Sequence, residues 1–183
     1  MNVRKLASCW PEKRKFSLTK KGRKQIERSA EKLKNKKIDL IFTSDLLRTK
    51  QTAGIVGKEL GLKLKFDKRL REVNIGIFNG RPVKEIGEVW NRGNKLSPLE
   101  HYSRRFKIAP PMGETYKEIE KRMFSFLKET DKKYKNKNIL IVSHERPITL
   151  LEKVIYNYDI KKFVKVILED KEIKTGELRK ISL

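Results

Sequence analysis

Ile139-Leu140-Ile141-Val142-Ser143-His144 is the stretch that decides the fold: four apolar residues in succession, then two polar ones, with a helix expected directly behind them over residues 147–156. An unbroken apolar run of this kind belongs to a strand covered on both faces, the habit of parallel sheets. Ile38-Asp39-Leu40-Ile41-Phe42 has the same character, passes into Thr43-Ser44-Asp45, and is followed by an expected helix from about Leu46 to Leu60 that stops at Gly61. Outward from these two strands, Thr19 is a fair N-cap for a helix that sets Ile26, Ala30 and Leu33 on one face. Residues 62–66 alternate like a strand, and 67–80 form an ordered loop. Residues 82–90 suit a short helix, whereas 91–113, charged and with Pro98, Pro110 and Pro111, read as irregular and resemble a lid or insertion. Thr115 opens a long amphipathic helix carrying Tyr116, Ile119, Met123, Phe126 and Leu127 to about Tyr134. Two final strands are expected over 163–168 and 178–183. Helices alternating with apolar strands predict an α/β domain, a largely parallel central sheet covered by helices on both faces. Such sheets bind ligands at the carboxyl ends of their strands, which directs attention to residues 43–48 and 143–146.

The length of 183 residues fits one domain spanning 1–183. Lys+Arg 46 against Asp+Glu 23 gives a formal net charge of +23, yet 37% of residues are hydrophobic, enough to close a core. No apolar run approaches the roughly 18 residues of a membrane helix, and residues 1–15 hold charge without a signal-peptide core. Cys9 is the only cysteine, which excludes an intrachain disulfide and a multi-cysteine zinc site and fits a reducing cytoplasm. His101 and His144 are the only histidines, too few for a histidine-rich metal centre. The cations are mostly lysines spread along the chain without a zinc finger or an RNP-like pattern, a solvated surface rather than a nucleic-acid module.

Three residues carry candidate chemistry. Arg48 would project from the first turn of its helix, beside free backbone N–H groups, where a guanidinium can grip two phosphate oxygens; the bland alternative is a surface arginine. His144 ends a buried strand at the functional edge of the sheet, where it either does chemistry or satisfies a core hydrogen bond. Glu72, in the 67–80 loop, is a general acid if desolvated or an exposed partner of Arg69 or Arg71.

Taken in order, Leu18-Thr19-Lys20-Lys21-Gly22-Arg23, Thr43-Ser44-Asp45-Leu46-Leu47-Arg48-Thr49, Leu70-Arg71-Glu72 with Gly76 and Asn79-Gly80, Met112-Gly113-Glu114-Thr115, and Val142-Ser143-His144 resemble the histidine phosphatase superfamily, the phosphoglycerate mutase-like proteins. The resemblance implies that Arg48 holds the phosphoryl oxygens, Glu72 protonates the leaving oxygen and His144 helps stabilise the transferring group. It also implies a nucleophilic histidine in an Arg-His-Gly motif after a first strand, which this sequence does not contain. Asn2 matches the asparagine that comes after the motif, and Ser8 and Cys9, ahead of Trp10, match a small-residue substrate loop. Glu145 departs from the usual glycine and puts a negative charge beside the pocket.

On this resemblance the sequence begins partway through its active-site motif, and the first strand would lie between the strands at 38–42 and 139–142. Without it a gap of about twice the 4.8 Å strand spacing would be left, with costly unpaired backbone on both sides. The expectation is therefore either that Met1 is an internal residue of a longer protein, which is favoured, or that the sheet closes up. The implied activity is that of a phosphomonoester hydrolase acting through a phosphohistidine, with no metal and no cofactor, on a small phosphorylated substrate. Sugar phosphates, nucleotides and cobalamin-precursor phosphates stay open. The 183 residues alone are expected to be inactive for want of the nucleophile. The alternatives are a non-catalytic binder of phosphorylated ligands and a basic nucleic-acid-binding module. A monomer or homodimer is expected, with no specific nucleic acid and no membrane as partner.

Overall fold

The computed structural model describes residues 17–81 and 96–181. Asn2, Ser8, Cys9 and the helix expected over 82–90 lie outside the described residues. Helices α1 (Lys20–Leu33) and α2 (Leu47–Leu60) frame strand β1 (Leu40–Thr43), and β2 (Leu64–Phe66) comes next. Then come α3 (Pro98–Lys107), α4 (Tyr116–Lys133), β3 (Ile139–Val142), α5 (Glu145–Ile155) and α6 (Ile160–Leu168).

The sheet is parallel throughout, in the order β2-β1-β3. Strand alternation divides the interior into two layers. Ile41, Leu140 and Val142 pack with Ile26, Ala30, Leu33, Ala53 and Val56 from α1 and α2. Leu40, Phe42, Ile139 and Ile141 face the larger layer, where Ile119, Met123 and Phe126 of α4 meet Leu150, Leu151 and Phe163. The expected doubly covered parallel sheet is therefore present.

The helices start where local chemistry supplies a cap. The Thr19 hydroxyl accepts from the Gly22 N–H at 3.0 Å, and Thr115 with Glu118 forms a reciprocal capping box at the head of α4. Gly61, at φ 67°, ends α2 in the left-handed region. The 67–80 loop is ordered, with short 3-10 turns at Lys68–Leu70 and Gly76–Phe78. Gly76 is required there: its φ is 60°, and a side-chain carbon would lie 1.8 Å from the Pro111 carbonyl oxygen.

Three expectations are corrected. Residues 163–168 are helix, not strand, because the Asp159 side chain caps the Lys162 N–H and Phe163, Val164 and Ile167 fall on one buried helical face. No strand forms over the described residues of 178–183; Arg179 reaches Glu152 and Glu177 there, and Gly176 nearby rests on α1 through Ser29. The irregular 91–113 segment contains α3, with Pro98 in its first turn and a Ser97–Glu100 capping box.

Among the described residues the sheet is closed, the second of the two outcomes expected for it. β1 and β3 pair directly, Leu40 opposite Ile139 through Thr43 opposite Val142, and the pairing extends outward as Asp39 N–H to Asn138 O at 2.8 Å. Two buried rows of N–H and C=O groups would be costly if left unpaired, and pairing them with each other removes that cost.

Candidate active site

Direct pairing of β1 and β3 sets the residues just beyond their carboxyl ends side by side. Ser44 continues from β1 and His144 succeeds Ser143 after β3, and both precede helices, α2 and α5, whose N-terminal turns carry partial positive charge. Arg48 lies in the first turn of α2 and Glu72 in the loop after β2. The structure brings Arg48, Glu72 and His144 together with side chains almost wholly buried, at 5%, 8% and 6% residue exposure.

Arg48 Nη2 lies 2.8 Å from His144 Nδ1 and 3.7 Å from Glu72 Oε2, which is 3.8 Å from the same ring nitrogen. A guanidinium only donates, so Nδ1 is the acceptor and bears no proton. The proton of the neutral ring is then on Nε2, which donates to Ser44 Oγ at 2.9 Å. Ser44 Oγ is 2.6 Å from Thr49 Oγ1, whose own proton goes to the Leu46 carbonyl at 2.8 Å, so Ser44 donates to Thr49. Burial, then the charges of Arg48 and Arg122, hold the His144 pKa well below the usual histidine value, which agrees with a neutral ring. Burial pushes the Glu72 carboxyl above its ordinary value despite the lowering pull of Arg48. A carboxyl so placed keeps its proton to higher pH, the property a general acid needs.

The loop bearing Glu72 is pinned from α4. Arg122 donates to the Glu72 carbonyl at 3.2 Å and to the Arg69 carbonyl, and it forms two bonds to Glu114, at 2.9 and 3.0 Å. Glu114 accepts from the Asn74 N–H at 2.7 Å, closing the frame. Glu72 is therefore no exposed partner of its neighbours: Arg69 pairs with Asp67 and Glu129, and Arg71 with Asp45. The Glu145 carboxyl hydrogen-bonds Glu172, which also pairs with Arg146 at 2.6 Å.

Arg48, Glu72 and His144 line a cavity of about 160 Å³ together with Ser143, Thr49 and apolar walls that include Ile26, Leu33 and Leu140. Among the described residues there is no cluster of side chains suited to hold a metal ion. Sequence reasoning assigned no role to Ser44, Thr49 or Arg122. Ser44 and Thr49 stood inside the quoted motif, but Arg122 carried no local signal, because its partners are 8 to 53 residues away.

The chain matches the family model of the histidine phosphatase superfamily (branch 1) over residues 6–178. It belongs to that superfamily. Over 146 residues it is 27% identical to phosphoserine phosphatase 1 of Hydrogenobacter thermophilus, covering 80% of this chain and 67% of the relative. It is 34% identical over 133 residues to "Probable phosphoglycerate mutase GpmB" of Yersinia enterocolitica, covering 69% of this chain and 57% of that protein, so the match spans little more than half of the second relative. The fold resembles that of a mycobacterial glucosyl-3-phosphoglycerate phosphatase solved with VO3, with a TM-score of 0.76 and 23% identity over 90% of this chain and 82% of the other. No helix among the described residues is long and apolar enough to cross a membrane.

Proposed function

We propose that Arg48, Glu72 and His144 form the phosphoryl pocket of a phosphomonoester hydrolase acting on a small phosphate ester. The observation that supports this reading is a buried guanidinium hydrogen-bonded to a neutral imidazole at 2.8 Å with a carboxyl 3.7 Å from the same nitrogen, under two helix N-termini. In this role Arg48 holds two phosphoryl oxygens, His144 donates to a third, and Glu72 gives its proton to the departing alkoxide as the phosphorus–oxygen bond breaks. Membership of a superfamily with phosphatase and mutase relatives is consistent with that chemistry.

A second reading is that the 183 residues by themselves bind a phosphorylated ligand without turning it over. It is favoured by the engagement of both His144 nitrogens, which leaves the ring no lone pair for attack on phosphorus. Phenyl phosphate should raise the melting temperature of the intact chain, Arg48→Lys should remove the rise, and hydrolysis should proceed at the buffer rate. Absence of any rise would count against the pocket. Turnover lost in His144→Ala, with phosphohistidine mapped to position 144, would reverse the role given to that histidine.

A further inference from the structure

We infer that Ser44 is a proton-direction switch for His144, letting a neutral imidazole either accept from Arg48 or donate to a phosphoryl oxygen. This rests on the phosphoryl-pocket reading of Arg48 and His144. The dianion of a phosphomonoester offers only acceptors, as does the bare Nδ1 that Arg48 now occupies. For His144 to hold a phosphoryl oxygen, Nδ1 must gain a proton. The ring can become an imidazolium, or it can move its single proton from Nε2 to Nδ1 by exchange with solvent, with no net uptake.

The surroundings oppose the first course. Arg48 from α2 and Arg122 from α4 both disfavour a charged ring, and the Glu72 carboxyl at 3.8 Å is itself held toward its neutral form by burial. Glu145 is the next residue along His144's own chain, and its carboxyl is hydrogen-bonded to Glu172.

The second course needs a group beside Nε2 that can change from acceptor to donor, and a hydroxyl does so by rotating one bond. Ser44 Oγ stands 2.9 Å from Nε2 and 2.6 Å from Thr49 Oγ1. When Ser44 turns its proton to Nε2, Thr49 can turn its own from the Leu46 carbonyl to Ser44 Oγ. That carbonyl is not orphaned, since it also accepts from the Thr49 and Lys50 backbone N–H groups at 3.1 and 2.9 Å. The chain of hydroxyls thus reverses with every buried polar atom still paired. Ser44 is a positioning residue: it sets the proton on the ring and does not touch phosphorus.

The test is long-range proton–nitrogen NMR of the full chain labelled with nitrogen-15 at histidine, with His101→Gln to assign the second ring. At pH 7.5 His144 should be neutral with its proton on Nε2, and saturating phenyl phosphate, a dianion without a hydroxyl at that pH, should leave it neutral with the proton on Nδ1. Ser44→Ala should weaken phenyl phosphate binding about tenfold, in line with the loss of a buried hydrogen-bond partner, and Ser44→Thr should restore most of it. An imidazolium in the phosphate complex, or a proton that stays on Nε2, would overturn the switch and leave the pocket standing. Failure of phenyl phosphate to bind the wild-type chain would instead remove the pocket, and the switch with it. A proton on Nδ1 before phosphate is added would refute the switch on its own.

Discussion

Two buried arginine–glutamate pairs among the described residues are built to opposite ends. Arg146 and Glu172 meet at 2.6 Å, with the guanidinium also lying 5.7 Å from the Tyr102 ring centre and 6.0 Å from that of Tyr116. Arg48 and Glu72 stand 3.7 Å apart, and the arginine directs a donor at a neutral histidine in the wall of a cavity. A close, enclosed pair neutralises its charge within the fold and ties the segment after α6 to the start of α5. A wider pair in the wall of a cavity sets the guanidinium where an anion can compete for it. On the proposed function the difference separates a structural clamp from a binding site, although both stand at the first turn of a helix that comes after a strand of the same sheet.

The largest effect is expected at the clamp. Arg146→Met should lower stability by about 3 kcal/mol, because Glu172 keeps its burial and loses its principal cation, while orthophosphate affinity stays within about twofold of wild type. Chemical denaturation and calorimetric titration of the same sample separate the two effects. Next in size is Arg48→Lys, expected to weaken orthophosphate about thirtyfold with little change in the denaturation midpoint, since lysine keeps the charge and forfeits the two-oxygen grip. If the two variants exchange phenotypes, the assignment of clamp and site is wrong.

Glu72 extends the contrast to pH. Its folded pKa is raised by burial, so the native state holds this proton more tightly than the unfolded chain does. Stability therefore falls as pH rises from the ordinary carboxyl value toward the folded one, and Glu72→Gln should flatten that slope. The same variant removes a negative charge beside Arg48 and should tighten orthophosphate about threefold at pH 8, with the gain shrinking toward pH 5 as wild-type Glu72 takes up its proton. A gain that stays the same down to pH 5 would show that Glu72 remains charged across that range, and no gain at pH 8 would show that it is already neutral there.

Much of this arrangement was legible in the residues themselves. Ile139 to Val142 announced a buried strand, and Arg48 and His144 stood where parallel sheets present ligands. Glu72 could be named but not placed, since its desolvation comes from Arg122 and Glu114 holding the loop across α4, a tertiary frame with no sequence period. The helix at Ile160–Leu168 was hidden because the apolar cluster from Phe163 is too short to separate a period of 2 from one of 3.6 without its Asp159 cap. The hydroxyl chain from Thr49 through Ser44 to His144 depends on β1 lying directly against β3. No local pattern encodes that pairing, which the resemblance alone had placed one strand farther apart.

Whether the Arg48–His144 cavity is a phosphoryl site is decided by a crystal structure of the chain with orthovanadate, a mimic of a phosphoryl group in transfer. Vanadium should be held between Arg48 and His144, with the Arg48 Nη2 to Nδ1 contact broken, Glu72 within hydrogen-bond reach of a vanadate oxygen, and the Arg146–Glu172 pair unchanged. Vanadate bound at a surface cluster such as Lys50, Lys68 and Arg71 with the Arg48–His144 contact intact would contradict that assignment.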